Sequence, residues 1–203
     1  MPRSTDELTV RTVDSKTRLS DFIRLPRSIY ADDVNWIAPL DLEQKQRYSD
    51  KNPFFQHARW RAWVAYRGPR PVGRISAQID SLHLERYRDS TGHFGSLDAE
   101  DDPAVFQALF DAAEHWLKSE GMARVTGPFN LSINEECGLL IEGFDTPPCI
   151  MMGHGRPYYG HHSELCGLSK ATDLIAYRIN TDFDTPKVML SLVKKASARV
   201  RVR

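Results

Sequence analysis

At 203 residues, with 41% hydrophobic and 27% charged positions, the chain can bury one good core and has an ordinary globular composition. Its 27 basic residues balance 27 acidic ones, so no net field draws it towards nucleic acid or an anionic membrane. No apolar run approaches the roughly 20 residues that span a bilayer. The opening MPRSTDELTV lacks the apolar centre of a signal peptide. Cys137, Cys149 and Cys166 form no CxxC pair, so reduced thiols in a cytoplasmic protein are expected.

In chain order, residues 8–13 (LTVRTV) alternate and predict a first strand. Residues 15–28 carry Leu19, Phe22, Ile23 and Leu25 at helical spacing, with Pro26 expected to end the helix. The segment YADDVNWIAPL mixes aromatics, acids and a proline, as an ordered loop does, and residues 40–48 follow as a polar, exposed helix. Asn52-Pro53 opens a turn into the aromatic plug NPFFQHA. A hairpin comes next: 61–67 (RAWVAYR), a turn at Gly68-Pro69, and 71–80 (PVGRISAQID). Residues 81–90 (SLHLERYRDS) are a connection without a clear period.

The best-marked unit occupies residues 93–134. Val105, Leu109, Ala112 and Trp116 fall on one helical stripe, with Phe106, Phe110, Ala113 and Leu117 beside it. Asp101 or Asp102 suits the cap, Pro103 the first helical position and Gly121 the stop. Strands are predicted on either side, over 94–99 and 124–127, giving a strand–helix–strand unit with parallel strands. A ligand is expected beyond the carboxyl ends of such strands, which directs attention to 99–102 and 128–136.

Beyond this unit, 138–144 (GLLIEGF) is apolar and bounded by glycines, and Pro147-Pro148 breaks the chain before CIMMGHG. Residues 156–166 predict a short helix, 174–179 (LIAYRI) a late strand, and 187–198 a basic amphipathic helix. The closing ARVRVR alternates like the opening of a strand, either an edge strand or the entrance to a further domain, and the second is favoured.

This order of elements resembles the GCN5-related N-acetyltransferase (GNAT) superfamily. The wording VGRISAQID, LHLERY, HFGSLDAEDD, GPFNLSINEECGLLIEGFDTPP, PYY and DLIAYRI is similar to one uncharacterised bacterial GNAT-like branch, over roughly residues 22–179. The resemblance implies an α/β (α+β) fold, a mixed and mostly antiparallel sheet flanked by helices. It also implies a GNAT-like domain over 1–183, followed by a helix and strand stub at 184–203 that leads towards a second GNAT-like half. The implied activity is transfer of an acyl group from acetyl-CoA or another acyl-CoA to a small-molecule amine.

In typical members a glycine-rich loop before the central helix holds the pyrophosphate of acetyl-CoA on backbone N–H groups. The matching junction here reads Asp98-Ala99-Glu100-Asp101-Asp102-Pro103, with no glycine and three consecutive acids. Pro103 also removes one donor. The acids are therefore expected to serve as helix caps, which argues against pyrophosphate in the usual pose. Ala99, Asp101, Asp102 and Asn130 are the candidate cofactor positions, on an opening between the two parallel strands that would accept pantetheine. A tyrosine of the family protonates the departing thiolate, four residues before Gly-Phe; the matching position is Ser163, and the phenylalanine is absent. Tyr158 and Tyr159 are candidates for that role by their chemistry, or pack the helix start.

Asn130, Ser132, Asn134, Glu135 and Glu136 form the densest polar group. Ser132 and Asn134 could orient a substrate, with Glu135 or Glu136 as base for an amine; the same residue types also build turns and caps. His154, His161 and His162 lie near Cys149 and Cys166, but the spacing suits packing better than a zinc site, and no metal is expected. His83, Arg86 and Tyr87 suit structural ion pairs, and the Trp60, Trp63 and Tyr66 aromatics suit a core rather than base stacking. Two function classes follow: an acyltransferase, or a non-catalytic GNAT-like half that binds a ligand or partner.

Overall fold

Strand β2 (Ala58–Arg67) is apolar on both faces, which fixes its place inside the sheet. Trp63 and Ala65 join one core, while Ala62, Val64 and Tyr66 join another on the opposite face. The computed structural model describes residues 7–177, 182 and 184–197, which fall into two compact units, Met1–Ala171 and Thr172–Arg203.

In the first unit, β1 (Leu8–Thr12), β2, β3 (Arg70–Asp80), β4 (Thr91–Ala99) and β5 (Arg124–Thr126) form one sheet in sequence order. Its first four strands pair antiparallel, and β4 and β5 pair parallel. This is the mixed sheet the sequence predicted. Helix α5 (Pro103–Ser119) closes the βαβ unit. Its stripe of Val105, Phe106, Leu109, Phe110, Ala113, Trp116 and Leu117 is buried against Ile75, Ala77, Ile79 and Phe94 of the sheet. Asp102 caps the helix by accepting from the Ala104 amide at 2.9 Å, Pro103 occupies its first turn, and Gly121 leaves it with φ +83°.

On the opposite face, α1 (Lys16–Arg24), α3 (Asp41–Arg47) and a 3-10 turn (Pro53–Gln56) cover Ala62, Val64 and Tyr66 through Phe22, Ile23, Tyr48 and Phe54. Pro26 was expected to end a helix; α1 stops at Arg24, and Pro26 opens α2 (Pro26–Ile29) instead. Proline suits a first turn because the amide it lacks would have no partner there. Residues 81–90, without a clear period, yield α4 (Ser81–Tyr87), capped by Asp80 accepting from the Leu82 amide. Helix α6 (Tyr158–Leu165) follows a long irregular stretch.

In the second unit, α7 (Lys187–Ser197) forms as predicted, with Val188, Leu190, Leu192 and Val193 exposed. The late strand predicted at 174–179 does not form over 174–177, and 178–179 lie outside the described residues. Alternation marks a face, but a strand needs a paired edge. The terminal ARVRVR also lies outside the described residues.

Candidate functional site

Beyond its short parallel pairing, β5 does not splay away from β4. The chain bends at Gly127-Pro128 and runs on along β4, where the Phe129 amide donates to the Phe94 carbonyl at 2.7 Å. Asn130 continues the contact, its Oδ1 accepting from the Ser96 amide at 2.7 Å. Gly95 makes this approach possible, since a Cβ there would lie 1.8 Å from the Phe129 carbonyl oxygen. Gln78 clamps the crossing by donating to the Phe129 and Leu131 carbonyls at 2.7 and 3.2 Å. β4 also bulges at this level: its register with β3 shifts between Arg74 and Ser76, and Ser96 takes φ +48°.

A cavity of about 150 Å³ lies at this end of β4. Its floor is Arg74 with Ser96, Leu97 and Asp98, and its walls come from α3, the segment around Tyr30 and Trp36, residues 128–139 and residues 148–154. The floor is polar and buried. Arg74 donates from Nε to Asp98 Oδ2 at 2.8 Å and from Nη1 to the Phe22 carbonyl at 2.7 Å. The Tyr30 hydroxyl donates to Asp98 Oδ1 at 2.7 Å, and its pKa is pushed far up by burial, then by the Asp98 charge. In the wall, Arg47 holds Glu136 at 2.6 and 3.1 Å. Asn130 adds a third bond to Glu136, at 3.1 Å. Burial pushes the Glu136 carboxyl up, but Arg47 and Asn130 outweigh it and hold it below the usual range. Glu135 moves the other way: burial raises it, Arg47 offsets only part, and the Glu136 charge adds to the rise.

The predicted polar group therefore divides. Asn130 and Glu136 line the cavity, whereas Glu135 sits outside it with its carboxylate 3.4 Å from Arg47 Nε. Ser132 and Asn134 make a local turn, the Asn134 amide donating to Ser132 Oγ at 3.2 Å, and neither lines the cavity. Tyr159 forms part of the wall and is fully buried; its hydroxyl accepts from the Ala99 amide at 3.2 Å. Tyr158 donates to the Ala99 carbonyl at 2.8 Å. Burial raises both phenols, Tyr158 to about 12 and Tyr159 well above its ordinary value. Arg47, Tyr30, Trp36, Arg74 and Asp98 were not singled out in the sequence. A charged pair inside otherwise apolar strands, Arg74 in VGRIS and Asp98 in GSLDA, was the available signal.

At the junction before α5 every acid has a partner: Glu100 pairs with Arg70, Asp101 with His162 at 2.6 Å, and Asp102 with Arg67 besides its cap. Burial raises the Asp102 carboxyl, but Arg67 and the helix amides outweigh it and leave it low and ionised. The Glu100 and Asp102 amides donate within the chain, to the Val72 and Glu100 carbonyls, and the two backbone groups of Ala99 are taken by tyrosine hydroxyls. The residues present do not fit acetyl-CoA in the pose the resemblance implied, at either the pyrophosphate or the pantetheine. Among the described residues no group of His, Cys, Asp and Glu suits a metal ion, and no helix is long and apolar enough to cross a membrane. Cys137, Cys149 and Cys166 are free thiols.

Solved structures with the same architecture are acetyltransferases. An aminoglycoside acetyltransferase from an uncultured soil metagenomic sample, in complex with sisomicin, matches 86% of this chain and 97% of its own, with a TM-score of 0.53 and 14% identity. Glucosamine-6-phosphate N-acetyltransferase from Arabidopsis thaliana matches 86% of this chain and 100% of its own, with a TM-score of 0.50 and 13% identity. The chain has the GNAT fold. No family model matches it. In sequence it is 52% identical over 195 residues to Protein YghO of Escherichia coli (strain K12), covering 96% of this chain and 50% of that protein. It is 49% identical over 191 residues to a protein of Caulobacter vibrioides named bacterial ceramide synthase, covering 93% of this chain and 50% of that protein. The chain thus spans about half the length of these curated relatives.

Proposed function

We propose that the protein is an N-acyltransferase that moves an acyl group from a coenzyme A thioester to an amine bearing a long alkyl chain. The observation that carries this reading is the cavity at the end of β4. It is small enough for an amine headgroup, and aromatic rings and two carboxylates, Asp98 and Glu136, line it. Ile37 and Met152 line the same cavity while remaining exposed, within three residues of exposed Leu40, Ile150 and Met151. An alkyl chain leaving the cavity would meet that apolar rim. The relative named ceramide synthase supports the choice, because a ceramide is the amide of a long-chain amine with a fatty acid.

In this half the nucleotide of the thioester has no usual seat, so the acyl donor is held outside the usual GNAT pose. The relatives' double length supports a second half as the place for it. Glu136, fixed and ionised by Arg47, serves as counter-charge to an ammonium rather than as proton acceptor. Tyr158 and Tyr159 close the edge of β4. Asn130 holds the crossing segment against it.

The closure of Ala99 favours a second reading, a non-catalytic half that binds a ligand or partner. One experiment separates the two. Sphinganine and palmitoyl-CoA are incubated with the natural protein, and amide formation is followed by mass spectrometry. Product that disappears when Ser96→Trp fills the cavity supports the first reading. Product unaffected by that substitution supports the second, and no amide from any long-chain amine rejects the acyltransferase.

A further inference from the structure

The cavity wall holds a carboxylate–imidazole pair that the sequence did not predict. Asp33, in the loop after α2, lies with Oδ2 at 2.8 Å from His154 Nε2. The imidazole side chain is 4% exposed and the carboxylate 14%. Asp33 is itself fixed, its Oδ1 accepting from the Asn35 amide at 3.0 Å. Burial raises its carboxyl, but the bonds from His154 and Asn35 outweigh that and keep it ionised. An ionised carboxylate accepts the proton of Nε2, which leaves the lone pair on Nδ1. That nitrogen is buried without a hydrogen-bond partner. Among the described residues with such an orphaned side-chain atom, His154 alone lines the cavity.

We propose that His154, oriented by Asp33, accepts the proton of an alkylammonium seated in this cavity. The inference rests on the reading of the cavity as an amine site. The transfer is R–NH3+ to Nδ1, giving a neutral amine and an imidazolium; the nitrogen lone pair is freed for attack, and the imidazolium charge is balanced by Asp33 2.8 Å away. The groups facing this imidazole are Asp33, the Tyr30 ring at 5.7 Å, and Arg156, whose Nη1 lies 3.9 Å from Asp33 Oδ2. Arg156 also pairs with Asp32 and stacks at 5.3 Å over the Tyr30 ring, and it does not line the cavity. Glu136 and Asp98, which also line the cavity, attract the ammonium but are already bonded to arginines.

The test uses the natural full-length protein with isotopically labelled histidine, dodecylamine as probe and dodecanol as control. At neutral pH dodecylamine should move the His154 Nδ1 resonance towards its protonated position, and dodecanol should not. Asp33→Asn should abolish that response. In the sphinganine assay, His154→Gln should lower kcat by about 100-fold with KM little changed, and should remove the acid limb of the pH profile. A structural role would lower stability and leave the profile's shape intact. A resonance unmoved by dodecylamine, in a protein that acylates sphinganine, overturns this inference alone. A resonance that responds in a protein that acylates no amine upholds the proton acceptor and overturns the acyltransferase reading.

Discussion

The Tyr158 hydroxyl donates to the Ala99 carbonyl at 2.8 Å, and together with Tyr159 it closes the edge of β4. An open strand edge offers an amide-bearing ligand a row of partners, as an added strand would find. Here the chain itself takes them, and the acids that follow are each held by an arginine, a histidine or a helix amide.

The first prediction concerns this closure. Titration of this 203-residue chain alone with acetyl-CoA should show no binding in the micromolar range. Replacing 100–102 with a glycine-rich stretch, together with Tyr158→Phe, should create measurable affinity there. The change sacrifices the Asp102 cap at a cost of about 1 kcal/mol, so thermal unfolding is followed alongside. Micromolar binding by the unchanged β4 edge would defeat the assignment.

A second prediction concerns Arg74 and Asp98, both nearly fully buried. Arg74→Met leaves the Asp98 carboxylate without its cation and should cost about 3–5 kcal/mol in urea unfolding. Arg74→Met combined with Asp98→Leu removes both charges and should recover much of that loss. Equal destabilisation by the single and double variants would mean that shape, not charge pairing, holds the cavity floor.

Much of the fold was legible because α5 repeats its apolar residues at helical spacing and its cap, proline and stop are local signals. The site was less so. Arg74, Ser76 and Gln78 alternate along β3 as solvent-facing residues would, yet all three are buried, with the segment beyond β5 lying over Gln78. That cover arrives from far along the chain, and no local period announces it. Asn130 and Glu136 were found because they follow a strand end, whereas Tyr30, Arg47 and His154 reach the same cavity from irregular or polar segments. Of the two caps the junction offered, Asp101 and Asp102, the helix uses Asp102, a local signal because cap chemistry depends on near neighbours, whereas Glu100 and Asp101 turn to the distant Arg70 and His162.

The third prediction is a pH dependence. Burial, reinforced by the nearby His83 ring, lowers the His93 pKa to about 4, while Asp80 and Asp89 offset part of the shift. The unfolded chain, with an ordinary value near 6.5, therefore binds more protons between those limits. Stability is fully present above about 6.5 and falls as pH drops towards 4, by on the order of 3 kcal/mol. His93→Gln, which keeps a polar group for Thr126 Oγ1, should flatten this part of the curve. Denaturant unfolding from pH 7 to pH 4 gives the comparison, and parallel curves for the two proteins would refute it.

The last prediction tests the crossing that forms the cavity. Gly95 has no room for a side chain: an alanine Cβ would lie 1.8 Å from the Phe129 carbonyl oxygen and 2.6 Å from its carbon. Neither atom is the end of a flexible side chain, so the backbone of 128–131 must move off β4. That movement breaks the Phe129–Phe94 bond and the Asn130–Ser96 bond together, and it pulls Asn130 away from Glu136. Gly95→Ala should therefore destabilise by more than about 2 kcal/mol, large for the addition of one methyl. Hydrogen exchange should rise at the Ser96 and Phe129 amides while α5, on the other face, keeps its protection. Unchanged exchange at those two amides in a folded Gly95→Ala protein would mean that the crossing segment does not lie against β4.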